Sequence, residues 1–133
     1  MLRGITALVT GGTRGIGRAC ATRLALDGAH VVVASRSIDN AKSVAAELSS
    51  ELAPVDTAGC PQKLTSDYNL QHFGVGCDVR DADAVTEMFC SIAKDSPRPL
   101  GIVVNAAGVN IDGLLMRSSV ASIDVRIAFF LTI

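Results

Sequence analysis

The apolar run Ile5-Thr6-Ala7-Leu8-Val9 leads directly into Thr10-Gly11-Gly12-Thr13-Arg14-Gly15-Ile16-Gly17, and few folds accept that order. Glycines at positions 11, 15 and 17 remove the Cβ atoms that would block a tight turn or a close backbone approach. A buried strand that turns through them into a helix presents the free N–H groups and the positive dipole end of that helix at the turn. Such a corner favours an anion, a pyrophosphate above all.

The rest of the chain repeats this alternation. Residues 5–10 read as a buried strand. Residues 16–27 read as a helix with Ile16, Ala19, Cys20 and Leu24 on one face and Gly28 as its stop. Residues 30–35 form a second strand, apolar throughout as a parallel strand covered on both sides should be. Asp39 is placed to cap a helix carrying Ala41, Val44, Ala45 and Leu48. Residues 73–77 form a weaker third strand containing Gly74 and Gly76. Asp81 caps a third helix, with Val85, Met88, Phe89 and Ile92 at three- and four-residue spacing. Residues 100–104 form a fourth strand that runs into Asn105-Ala106-Ala107-Gly108. The order predicts an α/β fold, a doubly wound parallel sheet with right-handed crossovers.

Composition sets limits. The 133 residues suffice for one domain with a real core; 49% are hydrophobic and 19% charged, the balance of a compact chain. A net charge of −1 leaves no basic footprint for nucleic acid and no polybasic membrane segment. Cys20, Cys60, Cys77 and Cys90 lie far apart with no Cys-x-x-Cys pair, which points to reduced thiols in an intracellular compartment rather than to disulfides or a metal site. No apolar run approaches the ~20 residues that span a bilayer. Two segments depart from the alternation. Residues 53–71, with Pro54, Gly59 and Pro61, are expected to form a long surface loop or lid. Residues 118–133 end in the apolar, β-prone stretch 127–133, which either packs on the sheet or invites aggregation.

The spacing of the glycines selects among ligands. Gly-x-Gly-x-x-Gly fails because Cys20 stands where its third glycine belongs. Gly-x-x-x-x-Gly-Lys-Ser/Thr fails because Arg18 and Ala19 replace the lysine and the magnesium-binding hydroxyl. Thr-Gly-x-x-x-Gly-x-Gly fits without a gap. That turn resembles the cofactor loop of the short-chain dehydrogenase/reductase family. Val104-Asn105-Ala106-Ala107-Gly108 resembles the family's Asn-Asn-Ala-Gly segment at the end of the fourth strand, with Ala106 for the second asparagine. Asp78-Val79 stands where the family places an aspartate beside the adenine. The stretch from Asn105 to Arg117 is most similar to the 3-oxoacyl-carrier-protein reductases and mitochondrial carbonyl reductases of that family.

The resemblance implies a Rossmann-type domain over residues 1–117, holding a cofactor through Gly11, Gly12, Thr13, Arg14, Gly15, Ile16, Gly17, Ser35, Arg36, Asp78, Val79, Asn105, Ala106 and Gly108. Charge implies which cofactor. NAD-selective members place an acidic residue after the second strand to bind the ribose 2′-hydroxyl. Here Ser35-Arg36-Ser37 occupies that place and Arg14 lies in the turn, so NADP (NADPH) is expected, since a guanidinium grips a 2′-phosphate that a carboxylate repels. Plainer roles stay open: solvated arginines at positions 14 and 36, a turn cap at Asp78, a strand-end pairing residue at Asn105.

No catalytic residue is assigned, and no metal. Reductases of the family use a tyrosine with a lysine four residues on, aided by a serine. The single tyrosine, Tyr68, is followed at that spacing by His72, and a Tyr68–His72 acid/base pair is a remote substitute. The resemblance fades after Arg117, which suggests an incomplete form that is inactive alone, whether from splicing or from an incomplete gene model. The activity implied for the family is reduction of a small-molecule carbonyl or acyl-thioester substrate by homo- or hetero-oligomers in the cytoplasm or mitochondrial matrix. The alternative is a non-catalytic NADP-binding module that pairs with a full-length subunit. The outer edge of the fourth strand is expected to be open, with poor solubility as the consequence.

Overall fold

The structure, a computed structural model, describes residues 2–51 and 71–108. The expected loop at 53–71, Gln71 excepted, lies outside the described residues. So do Tyr68, Cys60, the stretch from 109 to Arg117 and the tail at 118–133. The described elements follow the order β1 (Thr6–Thr10), α1 (Gly15–Leu26), β2 (His30–Ser35), α2 (Ile38–Glu51), β3 (Phe73–Gly76), α3 (Ala82–Asp95) and β4 (Leu100–Asn105). The four strands make one parallel sheet in the order β3-β2-β1-β4. This is the doubly wound parallel arrangement that the alternation predicts, and the Rossmann type that the resemblance implies.

Helices cover both faces. On one, Val9, Val31 and Val33 meet Ala21 and Ala25 of α1 and Ala41, Val44 and Leu48 of α2. On the other, Leu8, Val32 and Ala34 meet Met88 and Ile92 of α3. Strand β1 is buried at every position and β2 at all but Ser35, because successive side chains enter a different helix layer.

Two local readings need correction. The buried face of α1 is Gly17, Ala21 and Ala25, with Leu24 partly packed, whereas Ile16 is 81% exposed. Small residues at i, i+4 and i+8 let the helix lie close on the sheet, and this outweighs the larger Ile16 as the determinant of which face turns inward. Helix α2 starts one residue before Asp39. Ser37 Oγ accepts from the Asn40 N–H at 3.4 Å, and Asp39 falls in the first turn. Gly28 does stop α1: its φ is +91°, and its N–H donates to the Ala25 carbonyl at 2.9 Å.

Strand β4 carries an irregularity that sets the sheet's edge. Thr6 pairs with Leu100 but Ala7 pairs with Ile102, so Gly101 is an inserted residue. The insertion changes the phase of the strand. Leu100 packs on the α3 face, while Val104 falls on the α1/α2 face. Val103, in register with Leu8, is left 45% exposed. Among the described residues the outer edge of β4 has no strand beside it.

Candidate functional site

The glycine turn is built by steric exclusion. Gly11 follows β1 at φ +66°, and its N–H donates to the Ala34 carbonyl at 2.8 Å. A Cβ there would sit 2.7 Å from Ala107 Cα and 2.8 Å from the Ala106 oxygen. A Cβ on Gly17 would run into the Gly11 carbonyl. The turn is thereby wedged against the end of β4. Thr10 completes the junction: its carbonyl accepts from the Ala106 N–H at 3.2 Å, and its Oγ1 accepts from the Ala107 N–H at 3.3 Å.

The start of α1 is open. Arg14 occupies the cap position in extended conformation with no side-chain capping hydrogen bond, and no acidic residue lies in the first turn. The N–H groups of that turn therefore keep their partial positive charge for an external partner. Helix α3 is the opposite case. There the Asp81 carboxylate accepts from the Asp83 and Ala84 N–H groups at 3.0 and 3.3 Å.

A cleft of about 560 Å³ lies at the carboxyl ends of the strands, lined from all four of them. This is where an open α/β sheet binds ligands. The turn contributes Gly11, Thr13, Arg14, Gly15 and Ile16 to its wall. Ser35 and Arg36 enter from the end of β2, Asp78 and Val79 from beyond β3, and Ala106 and Gly108 from beyond β4. Gly12 and Gly17 are buried beneath the turn rather than in the wall. Asn105 ends β4 in register with Thr10, is exposed, and does not line the cleft.

Sequence reasoning missed Arg80, which lines the cleft beside Asp78. Its Nε lies 2.9 Å from Asp78 Oδ1, and its backbone N–H donates to the same oxygen at 3.1 Å. The Arg80 hydrogen bonds, with Arg36 adding a further positive charge, hold the Asp78 carboxyl down to about 2. The spacing Asp78-x-Arg80 was the available signal, since a turn brings residues i and i+2 together. Among the described residues, three guanidinium groups and a single carboxylate thus line the cleft of a chain whose net charge is −1. Cys77, also in the wall, has its thiol pushed up by burial and then by Asp78 and Asp81, which keeps it protonated and unreactive.

His72 is not in the cleft. It is buried just before β3, at the other end of the sheet, where its Nδ1 accepts from the Val31 N–H at 3.0 Å. No group of three or more metal-ligating side chains occurs among the described residues. Nor is any described helix long and apolar enough to cross a membrane.

The short chain dehydrogenase profile matches residues 5–129. The chain belongs to the short-chain dehydrogenase family. The match continues past Arg117, where the quoted motifs stop. Carbonyl reductase family member 4 of Danio rerio is 38% identical over 112 residues, which cover 84% of this chain and 39% of the relative. The 3-oxoacyl-[acyl-carrier-protein] reductase MabA of Mycobacterium tuberculosis is 37% identical, with 84% of this chain and 34% of the relative covered. The chain thus spans less than half the length of these relatives. Among solved structures, a metagenomic short-chain oxidoreductase in complex with NADP superposes with a TM-score of 0.71 at 29% identity. The superposition covers 96% of this chain and 50% of that one.

Proposed function

We propose that this short-chain dehydrogenase chain holds NADPH in the cleft and is the cofactor-binding part of a reductase of carbonyls or 3-oxoacyl thioesters. The observation that carries the reading is the uncapped start of α1, opening into a cleft where Arg14, Arg36 and Arg80 outnumber Asp78. The turn from Gly11 to Gly17 receives the pyrophosphate, and its backbone N–H groups supply donors that no protein side chain occupies. Gly12 and Gly17 act from beneath by keeping the turn thin. Arg36, placed after β2 where a carboxylate would select NAD, grips the 2′-phosphate with Ser35 beside it. Asp78 and Val79 border the adenosine end. Asn105, Ala106 and Gly108 border the nicotinamide end, and exposed Ile16 offers an apolar surface between the two.

The bound nicotinamide would supply hydride to a carbonyl carbon. The described residues of this cleft bind and orient it, and no proton donor to the carbonyl oxygen is assigned among them. The only tyrosine, Tyr68, has His72 and not lysine four residues on, and His72 is buried away from the cleft. Turnover therefore needs a proton donor beyond the described residues of this cleft. The substrate class rests on the names of the relatives, a carbonyl reductase and a 3-oxoacyl-[acyl-carrier-protein] reductase. The phosphorylated cofactor is supported by the NADP complex of the structural neighbour.

Fluorescence titration tests this. NADPH should bind saturably and at least tenfold more tightly than NADH. Arg36→Asp should abolish or reverse that preference, since a hydrogen-bonded charge contributes about 1.5–3 kcal/mol. Equal affinity for the two cofactors, or a preference for NADH in the unmodified chain, refutes the assignment.

A further inference from the structure

Parallel strands are ordinarily covered on both sides, and β4 is not. Val104 meets the α1/α2 layer, and Leu100 packs partly on the α3 layer. Val103, turned to the α3 side by its register with Leu8, stays exposed, and Phe89 of α3 is 39% exposed. Between α3 and the start of β4 runs a groove of about 570 Å³, lined by buried Ile92 and by Phe89, Ala93, Pro97 and Leu100. It shares no lining residue with the cofactor cleft, so the two are open to separate tests.

Handedness says what passes over this groove. The steps from β1 to β2 and from β2 to β3 run toward one edge of the sheet, with α1 and α2 on one face. The step from β3 back to β4 runs toward the other edge, with α3 on the opposite face. Opposite directions use opposite faces, as crossovers of a single hand must, and that hand is right in nearly all parallel sheets. A chain that leaves Asn105 and continues past β4 therefore crosses on the α3 face, over Val103 and the groove. Residues 109–133 exceed the dozen that such a crossing takes. Among them Val120, Ile123, Ile127 and Phe130 follow one another at three- and four-residue spacing, a single apolar stripe.

We propose that residues 120–130 of this same chain are the occupant of the groove, seating that stripe against Phe89, Leu100 and Val103. The apolar face is then closed within one chain. Neither a second copy nor a full-length subunit is needed to cover it.

Sedimentation equilibrium of the full chain should give the monomer mass at every concentration from low micromolar upward. Thermal melts then locate the cover. Phe89→Ala in the groove and Ile127→Ala in the stripe should each lower Tm by roughly 5 °C or more, as the loss of a packed side chain does. The double variant should fall short of the summed loss by roughly 2 °C or more, because the two side chains share one contact. Leu26→Ala, exposed at the end of α1 on the other face of the sheet, should add to Ile127→Ala without remainder. Additive losses for Phe89→Ala and Ile127→Ala, or no loss for Ile127→Ala, overturn the proposal. So does a mass that rises with concentration, and its return to the monomer in Phe89→Asp would assign the groove to a second copy. A chain without a cooperative melt overturns it as well.

Discussion

The two ends of the sheet treat their polar groups in opposite ways. At the amino end a set of polar side chains is turned inward. The hydroxyls of Thr6 and Ser96 lie 2.6 Å apart, and both reach the Arg98 carbonyl at 2.9 Å. His30 is held by the Gln71 carbonyl and stacks on His72, with ring centres 6.0 Å apart. At the carboxyl end the reverse holds: α1 begins without a cap, the turn is glycine, and three arginines face a cleft. The same strands thus carry a closed end that contributes stability and an open end that leaves donors for a ligand. An uncapped helix start forgoes about 1 kcal/mol that Ser, Thr, Asp or Asn would provide; α3 begins at the same end of the sheet with its Asp81 cap in place, so the bare start of α1 marks where at this end the function lies.

The largest effect should come from the tightest point of the open end. Gly11→Val puts a β-branched side chain at φ +66° and into the backbone of Ala106 and Ala107. Strain and overpacking together should cost roughly 3–5 kcal/mol and remove NADPH binding. Gly108→Ala is the contrast within the same cleft, because a Cβ there meets nothing within 4 Å. Its stability should change by no more than about 0.5 kcal/mol. Urea denaturation of the two variants, with comparable losses for both, would break the claim that close packing shapes the turn.

The closed end should show itself in pH. Burial, with His30 adding to it, pushes His72 from 6.5 down to about 4. The unfolded chain takes up that proton near 6.5, the folded chain only near 4. Between these values the unfolded state binds more protons, so stability is complete above pH 6.5 and falls as the pH drops through this window. The full loss for His72 is about 3 kcal/mol, and His30, lowered by burial as well, acts in the same direction. Urea midpoints measured from pH 7 to 4.5 should fall steeply for the unmodified chain and less for His72→Gln, whose amide does not titrate. Parallel slopes for the two would show that the histidine pair is not what closes this end.

How much of this was legible in the sequence also differs between the ends and the edge. The strand and helix order, the stop at Gly28 and the Asp81 cap could all be read, because each depends on local propensity and periodicity. The turn was legible for the same reason, since its glycines act within eight residues. Ile16 was misjudged because hydrophobicity suggested a core face, whereas close helix–sheet contact selected the small residues Gly17, Ala21 and Ala25. The Gly101 insertion could not be seen, because register belongs to the pairing of β4 with β1 and not to β4 alone. The Arg80–Asp78 pair lay within three residues, yet only the turn geometry beyond β3 shows that the side chains fold back on one another.

The smallest stability effects test the comparison most directly, because they exchange the two kinds of helix start. Asp81→Ala removes the cap of α3 and should cost about 1 kcal/mol. Arg14→Asp installs a cap on α1, where Arg14 already has the extended backbone of a capping residue. It should raise stability by a few tenths to about 1 kcal/mol. The same change places a carboxylate at the phosphate site and removes a guanidinium, so NADPH affinity should fall by two orders of magnitude or more while the fold gains. A variant that is both more stable and unable to bind separates what holds the domain together from what the open end is for. If Arg14→Asp binds NADPH unchanged, the phosphates do not sit at the start of α1, and the contrast between the two helix starts loses its functional meaning.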